Sequence, residues 1–230
     1  MTETGGAKPR TDGDYVAWNE EMVRRYDIER YYVESHPLVR WLERRRLRVL
    51  GQLAGVRPGE RLLEVGCGAG HVLAGFPQAR RTGIDLSSTM LEWARRRLGA
   101  AVPLCRGLAD GLPFPEGAFD VVLCTEVLEH TPDPGAVLRE LMRVAGPRGR
   151  VVVSIPNENR IDAAKHALAR VPLLRRALRV VAAEENEWHL HRMDMPFLRR
   201  ISAGVAAIER VRALPAAPLP LRYAALLRPE

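Results

Sequence analysis

The stretch of this chain best suited to chemistry is L-L-E-V-G-C-G-A-G, from Leu62 to Gly70. A short apolar run enters glycines at 66, 68 and 70, where a backbone without Cβ atoms can turn sharply and approach a ligand closely. A cofactor is expected at that turn, with Glu64, Gly66, Cys67, Gly68 and Gly70 around it. Dinucleotide enzymes also use glycine turns, but their G-x-G-x-x-G spacing needs a third glycine at 71, and here that residue is His71. The G-x-G-x-G pattern favours a cofactor without a pyrophosphate. A second signal is G-I-D-L-S, where Asp85 ends a strand about 20 residues after the first glycine and can accept both hydrogen bonds of a ribose diol. Ser87 suits the N-cap of the next helix. Leu86 lies beside it, and Met90, one turn into that helix, sits either against a flat ligand ring or in the core.

These residues need elements to position them. From Arg61 onward short β-branched runs alternate with helical patterns, the signature of βαβ units and a parallel sheet. Strands are expected at Arg61–Val65, Arg81–Asp85, Val102–Cys105, Phe119–Thr125 and Arg150–Ile155, with helices at Gly70–Phe76, Ser87–Leu98 and Pro134–Val144. Residues 1–14 read as a polar, glycine-containing, disordered tail, and residues 15–230 as one domain. Within it, 15–56 read as N-terminal helices carrying Tyr26, Tyr31 and Tyr32, and 158–193 as a helical insert. After Pro172, Leu174, Leu178 and Val181 fall on one side of a helix and Arg175, Arg176 and Arg179 on the other. That helix is either a lid over a pocket or a surface for an anionic substrate or a membrane.

Composition narrows the classes. The 230 residues, 47% of them hydrophobic, suffice for one full core. No apolar run reaches the roughly 18 residues of a membrane span, and the first residues lack the apolar core of a secretion signal, so a cytoplasmic location is expected. Cys67, Cys105 and Cys124 have neither metal-ligand spacing nor a disulfide pattern and read as small buried hydrophobes. The formal charge of +7 comes mostly from the segment after residue 158, which holds 13 basic against 7 acidic residues. No basic stripe interleaved with aromatics accompanies it there, so a nucleic-acid partner is not expected.

Five motifs in order carry a resemblance: Leu62 to Gly70; Asp85; L-P-F-P-E-G-A-F-D-V-V from Leu112 to Val122; E-V-L-E-H from Glu126 to His130; and R-E-L-M-R-V-A-G-P-R-G-R-V-V-V-S-I-P-N from Arg139 to Asn157. Together they resemble the class I S-adenosylmethionine-dependent methyltransferases, most closely the small-molecule O-methyltransferase branch that includes ubiquinone-pathway enzymes. The resemblance implies a doubly wound, seven-stranded Rossmann-like α/β sheet, parallel with a C-terminal antiparallel strand. Ile208–Leu214 and Leu221–Leu227 are the last strands, with Pro215, Pro218 and Pro220 making their hairpin irregular. It further implies that Gly66 and Gly68 hold the methionine part of S-adenosylmethionine and Asp85 the ribose. Ala109 and Asp110 would then take the adenine edge, and Thr125 the amino group. Relatives usually carry an acidic residue one position earlier than Asp110, so either Asp110 takes that contact or backbone alone reads the adenine.

Methyl transfer to a hydroxyl also calls for proton removal. His130, in the loop that faces the methyl group in this fold, is the candidate base, or else only orients that loop. Glu126, Glu129 and His130 also resemble an E-x-x-E-H cluster that holds a divalent metal in some relatives, and E-W-H-L-H, with His189 and His191, can add a ligand. Tyr26, Tyr31, Asn157, His189, His191 and Arg192 are the candidate acceptor-binding residues. The expected function is methyl transfer to a small-molecule acceptor, at a hydroxyl or carboxyl oxygen in secondary or quinone metabolism. The alternatives are an N-methyltransferase of a small amine, a catalytically inactive nucleotide-binding module, and a dinucleotide oxidoreductase.

Overall fold

A computed structural model of the chain describes residues 12–25, 37–169 and 188–230. Two helices, α1 (Asp12–Arg25) and α2 (Pro37–Ala54), precede the sheet. Then follow β1 (Arg61–Val65), β2 (Arg80–Asp85), α3 (Ser88–Leu98), β3 (Leu104–Arg106), β4 (Val121–Thr125), α4 (Pro134–Ala145) and β5 (Arg150–Pro156). The chain ends with α5 (Glu158–Ala169), α6 (Met195–Ser202), β6 (Ala206–Ala216) and β7 (Leu219–Pro229).

The seven strands lie in the order β3-β2-β1-β4-β5-β7-β6. Strands β1 to β5 pair in parallel, and β7 runs antiparallel to both β5 and β6, so β7 is the single reversed strand. Alternation along each strand builds two cores. Leu63, Val65, Val122, Cys124, Val151, Val153 and Leu227 pack on one face with Val137, Leu138 and Leu141 of α4. Their neighbours Leu62, Val121, Leu123, Val152 and Leu226 pack on the other with Leu50, Leu53 and Ala54 of α2. Burying each such side chain contributes about 1.5–3 kcal/mol. The strand order reverses between β1 and β4, and in doubly wound sheets ligands bind outside the carboxyl ends of the strands at that point.

The structure corrects some boundaries. Helix α1 begins at Asp12, inside the stretch expected to be tail. After β1 only a single 3-10 turn, Leu73–Gly75, forms where a helix over Gly70–Phe76 is expected. Gly70 adopts φ +79°, outside the helical region, and the buried Glu64 carboxylate accepts from Leu73 N (3.1 Å), so the backbone turns back to the strand end before a second turn can form. Strand β3 starts at Leu104, two residues late, and the β6–β7 hairpin is longer than expected. The hairpin's register shifts at Ile208/Arg210 and at Leu214/Pro215. The helix expected after Pro172, and Tyr26, Tyr31 and Tyr32, lie outside the described residues. Among the described residues no helix is long and apolar enough to cross a membrane.

Candidate functional site

A cavity of about 390 Å³ opens at the carboxyl ends of β1, β2 and β4, within the usual size range of small-molecule sites. The glycine turn forms its base. The N–H groups of Gly66 and Cys67 both donate to Ile84 O (2.8 and 3.0 Å), tying the turn to the next strand. Gly66 has φ +69°, and a Cβ there would meet Val127 Cγ2 at 2.3 Å, so only glycine lets the turn slide beneath the loop after β4. At Gly68 (φ +49°) a Cβ would meet nothing within 4 Å, which leaves the turn facing open space as a ligand cradle should.

Asp85, half-buried on the cavity wall, accepts from Gly68 N (2.7 Å) with one oxygen and from Ser87 N (2.9 Å) with the other. It therefore holds the glycine turn as well as facing the cavity. Burial raises its pKa, against the lowering effect of those two N–H groups. Ser87 caps α3 by accepting from Met90 N (3.1 Å). Leu86, Met90, Ala109 and Asp110 complete this end of the wall. Glu64, Cys67 and Thr125 also line the cavity, and burial pushes the Glu64 carboxyl well above the usual carboxylate range. Gly70 is not among the lining residues. A Cβ there would lie 2.8 Å from Leu98 Cδ1, so its role is close packing against α3.

The opposite end of the cavity is polar. His130 Nδ1 donates to Trp188 O (3.1 Å), since a carbonyl oxygen can only accept, so Nδ1 carries the hydrogen and the neutral ring keeps a lone pair on Nε2. Burial, reinforced by the neighbouring His189, lowers the His130 pKa to about 3, and the ring is neutral at pH 7. The two imidazole rings stand 5.0 Å apart, and His189 Nδ1 is 2.7 Å from Glu158 Oε1. Donor atoms of Glu129, His130 and His189 all lie within 4.8 Å of one another. Glu129 is 1% exposed, its Oε2 makes no hydrogen bond among the described residues, and burial with the nearby Glu126 raises its pKa well above the usual range.

Of the three expected metal ligands, Glu129 and His130 are brought together and Glu126 is not. Glu126 accepts from Ser154 Oγ (2.7 Å) and pairs with Arg222 Nε (3.0 Å). It also adopts φ +54°, rare for a residue with a Cβ, and its N–H donates to Ser154 O (3.0 Å). The expected acceptor-binding residues divide similarly. His189 lines the cavity, whereas Asn157, His191 and Arg192 are not on its wall. Asn157 is buried and donates to Pro220 O (2.8 Å), bridging β5 to the hairpin; His191 Nε2 lies 3.1 Å from Pro132 O; Arg192 pairs with Asp162 (2.7 Å). Tyr26 and Tyr31 fall outside the described residues.

Other lining residues escaped the sequence reading. Tyr15, Asn19 and Val23 of α1 roof the cavity, and Glu43 and Arg46 of α2 reach it from the side. Glu43 and Arg46 are 7% and 5% exposed and share a bond of 2.8 Å; Glu43 also pairs with Arg222 (2.7 Å). An ion chain thus runs Arg46–Glu43–Arg222–Glu126, buried at Arg46 and Glu43 and partly exposed at Arg222 and Glu126. The signal for it was a pair of charges three residues apart on the apolar stripe of α2 that ends in Leu50 and Leu53.

Comparisons with known proteins agree with this geometry. A family described as "Methyltransferase domain" matches residues 63–153, the span from β1 through β5. The ubiquinone biosynthesis O-methyltransferase of Pseudomonas aeruginosa (strain UCBPP-PA14) is 34% identical over 158 residues, covering 63% of each chain. A crystal structure of a methyltransferase, so far assigned only provisionally, from Bacillus halodurans C-125 is 25% identical, with TM-score 0.57 over 72% of this chain and 71% of that one. Magnesium protoporphyrin IX methyltransferase from Synechocystis PCC 6803, solved with bound SAH, shares the fold at 16% identity, with TM-score 0.67 over 93% of this chain and 99% of its own. The chain spans between 31% and 63% of the length of the first curated relatives it matches. The glycine turn, the acidic end of β2, the reversed β7 and these likenesses agree that residues 63–153 carry a methyltransferase domain, similar to those of the class I S-adenosylmethionine-dependent methyltransferases.

Proposed function

We propose that the protein transfers the methyl group of S-adenosylmethionine to a hydroxyl or carboxyl oxygen of a small molecule in secondary or quinone metabolism. The observation that carries this reading is the continuity of one cavity from the Gly66–Gly68 turn to His130 and His189. The ubiquinone-pathway relatives favour oxygen as the acceptor atom. When bound, S-adenosylmethionine supplies a sulfonium-activated methyl group, so the protein's work is chiefly alignment. Holding the acceptor oxygen in line is worth roughly 7–11 kcal/mol at best.

In this reading Asp85 binds the ribose, Met90 and Leu86 flank the adenine, and Asp110 or the backbone at Ala109 reads its edge. Gly66, Gly68 and Thr125 take the methionine part, with Arg46 as the buried cation for its carboxylate. His130, neutral with Nε2 as acceptor, takes the hydrogen bond of the acceptor hydroxyl and orients it. Glu129, His130 and His189 suit a divalent ion, because a buried carboxylate oxygen and two imidazole nitrogens within 4.8 Å of one another are the donors such an ion takes. Bound there, the ion would lower the pKa of an acceptor hydroxyl. One observation favours an amine acceptor as the second reading: a histidine with so low a pKa stores a proton poorly, and an amine asks for no base.

The experiment is turnover with methyl-labelled S-adenosylmethionine on matched catechol, carboxylic acid and amine panels, each with and without a chelator. Label in oxygen esters or ethers supports the proposal, and label confined to amines selects the second reading. Cofactor binding without transfer to any panel would leave the inactive module as the better account.

A further inference from the structure

We propose that α1 is the gate through which the cofactor enters and its spent form leaves, and that Glu20 is the latch holding α1 to the first turn of α3. The proposal rests on the methyltransferase reading. It adds the element that controls exchange at that site.

Helix α1 presents Tyr15, Asn19, Met22 and Val23 on one face at i, i+4, i+7 and i+8. Tyr15, Asn19 and Val23 roof the same cavity that Gly66, Gly68 and Asp85 line from below. Val23 packs with Ala69 of the glycine turn and Met90 of α3, with Trp93 and Trp188 against them. Tyr15 is buried, and the charges of Asp110 and Asp85 add to that burial in raising its pKa. Its side chain lines the same cavity as Asp85 and Asp110, the end proposed for the ribose and adenine. A ligand reaching Asp85 from that side meets α1 first.

Among the described residues, Glu20 ties α1 to the first turn of α3. Its Oε1 accepts from Thr89 Oγ1 (2.5 Å), Thr89 N (3.3 Å) and Ser88 Oγ (3.5 Å). A carboxylate on the N–H groups that open a helix is also favoured by the helix dipole. These donors sit on the turn that begins at Asp85 and Ser87, so the latch closes beside the cofactor's anchor. Glu20 itself is not on the cavity wall, which separates its role from cofactor contact. Because the latch joins protein groups alone, it holds α1 with or without a ligand beneath, as a gate must.

The test is stopped-flow tryptophan fluorescence with S-adenosylhomocysteine on wild type, Glu20→Ala and Thr89→Val, with thermal melting to show that each variant is folded. Loss of several bonds to a charged group should raise association and dissociation rates together by about tenfold in Glu20→Ala, leaving Kd nearly unchanged. Thr89→Val, which keeps the backbone donor, should give a smaller rise in both rates. A rise in dissociation alone, with Kd rising by the same factor, would overturn the gate and make Glu20 an ordinary contributor to affinity. Unchanged rates in both variants would overturn it as well. Failure of wild type to bind S-adenosylhomocysteine at all would instead strike the methyltransferase reading.

Discussion

Replacing Asp85 by Asn separates the two tasks this carboxylate performs. Its oxygens accept from Gly68 N and Ser87 N, and in the proposed complex they also accept from the ribose hydroxyls. Asn keeps one acceptor oxygen and turns an NH2 group toward one of those two N–H donors. The loss is one charged hydrogen bond, about 1.5–3 kcal/mol, plus a backbone donor left unsatisfied, about 1–3 kcal/mol. Some of this is offset. Burial raises the pKa of Asp85, so the folded state loses stability as pH rises through that pKa, and the neutral amide escapes the loss. The unsatisfied backbone donor acts on the free protein and lowers Tm, whereas the lost charged hydrogen bond to the ribose weakens cofactor binding by about 1.5–3 kcal/mol, roughly ten- to a hundredfold in Kd. Calorimetric titration with S-adenosylhomocysteine alongside thermal melting reads both. An Asp85→Asn protein whose Kd stays within about threefold of wild type would refute the assignment of ribose to Asp85.

His130→Ala should depress turnover far more than cofactor affinity in steady-state and binding assays; equal losses would point to a purely structural ring. Because the folded His130 pKa lies near 3 and the unfolded one near 6.5, the unfolded chain takes up a proton the folded chain refuses. Stability should therefore fall as pH drops through that window, by up to about 1.4 kcal/mol per pH unit, and melting of His130→Phe should show a flatter acid limb. Glu43→Gln removes the charged partner of the buried Arg46 at 2.8 Å and leaves Arg222 its pair with Glu126, at a cost of about 3–5 kcal/mol. Differential scanning calorimetry should show Tm lower by roughly 6–20 °C. Gly66→Ala combines a left-handed φ with a 2.3 Å approach to Val127, and should abolish cofactor binding in the same titration even if the protein folds.

The parts of the site legible from sequence are those built by neighbours in the chain. The β1 strand, the glycine turn and Asp85 sit within one βα unit, where local patterning dictates the geometry, and β1 occurs with the bounds expected of it. Ser87 is likewise an N-cap by its own side chain. What stayed hidden was assembled across the chain. Glu126 looked like a ligand beside Glu129, yet Arg222 of β7 and Ser154 of β5 draw it aside, and no local pattern announces a partner on a distant strand. Glu43 and Arg46 became site residues only because α2 turns its buried face toward β7. Asn157, expected on the acceptor, is held for a related reason by the hairpin, which folds back and supplies Pro220 O and the Tyr223 hydroxyl to its amide. The helix expected after β1 was pre-empted by Glu64, whose carboxylate takes Leu73 N from inside the core.

The central claim is that the cavity over the glycine turn binds S-adenosylmethionine. Calorimetric titration of the purified protein with S-adenosylmethionine, S-adenosylhomocysteine and NAD, each with and without magnesium, tests it most directly. Micromolar binding of the first two and none of the third is the predicted result. Binding of NAD alone would contradict the account and return the glycine turn to the dinucleotide enzymes.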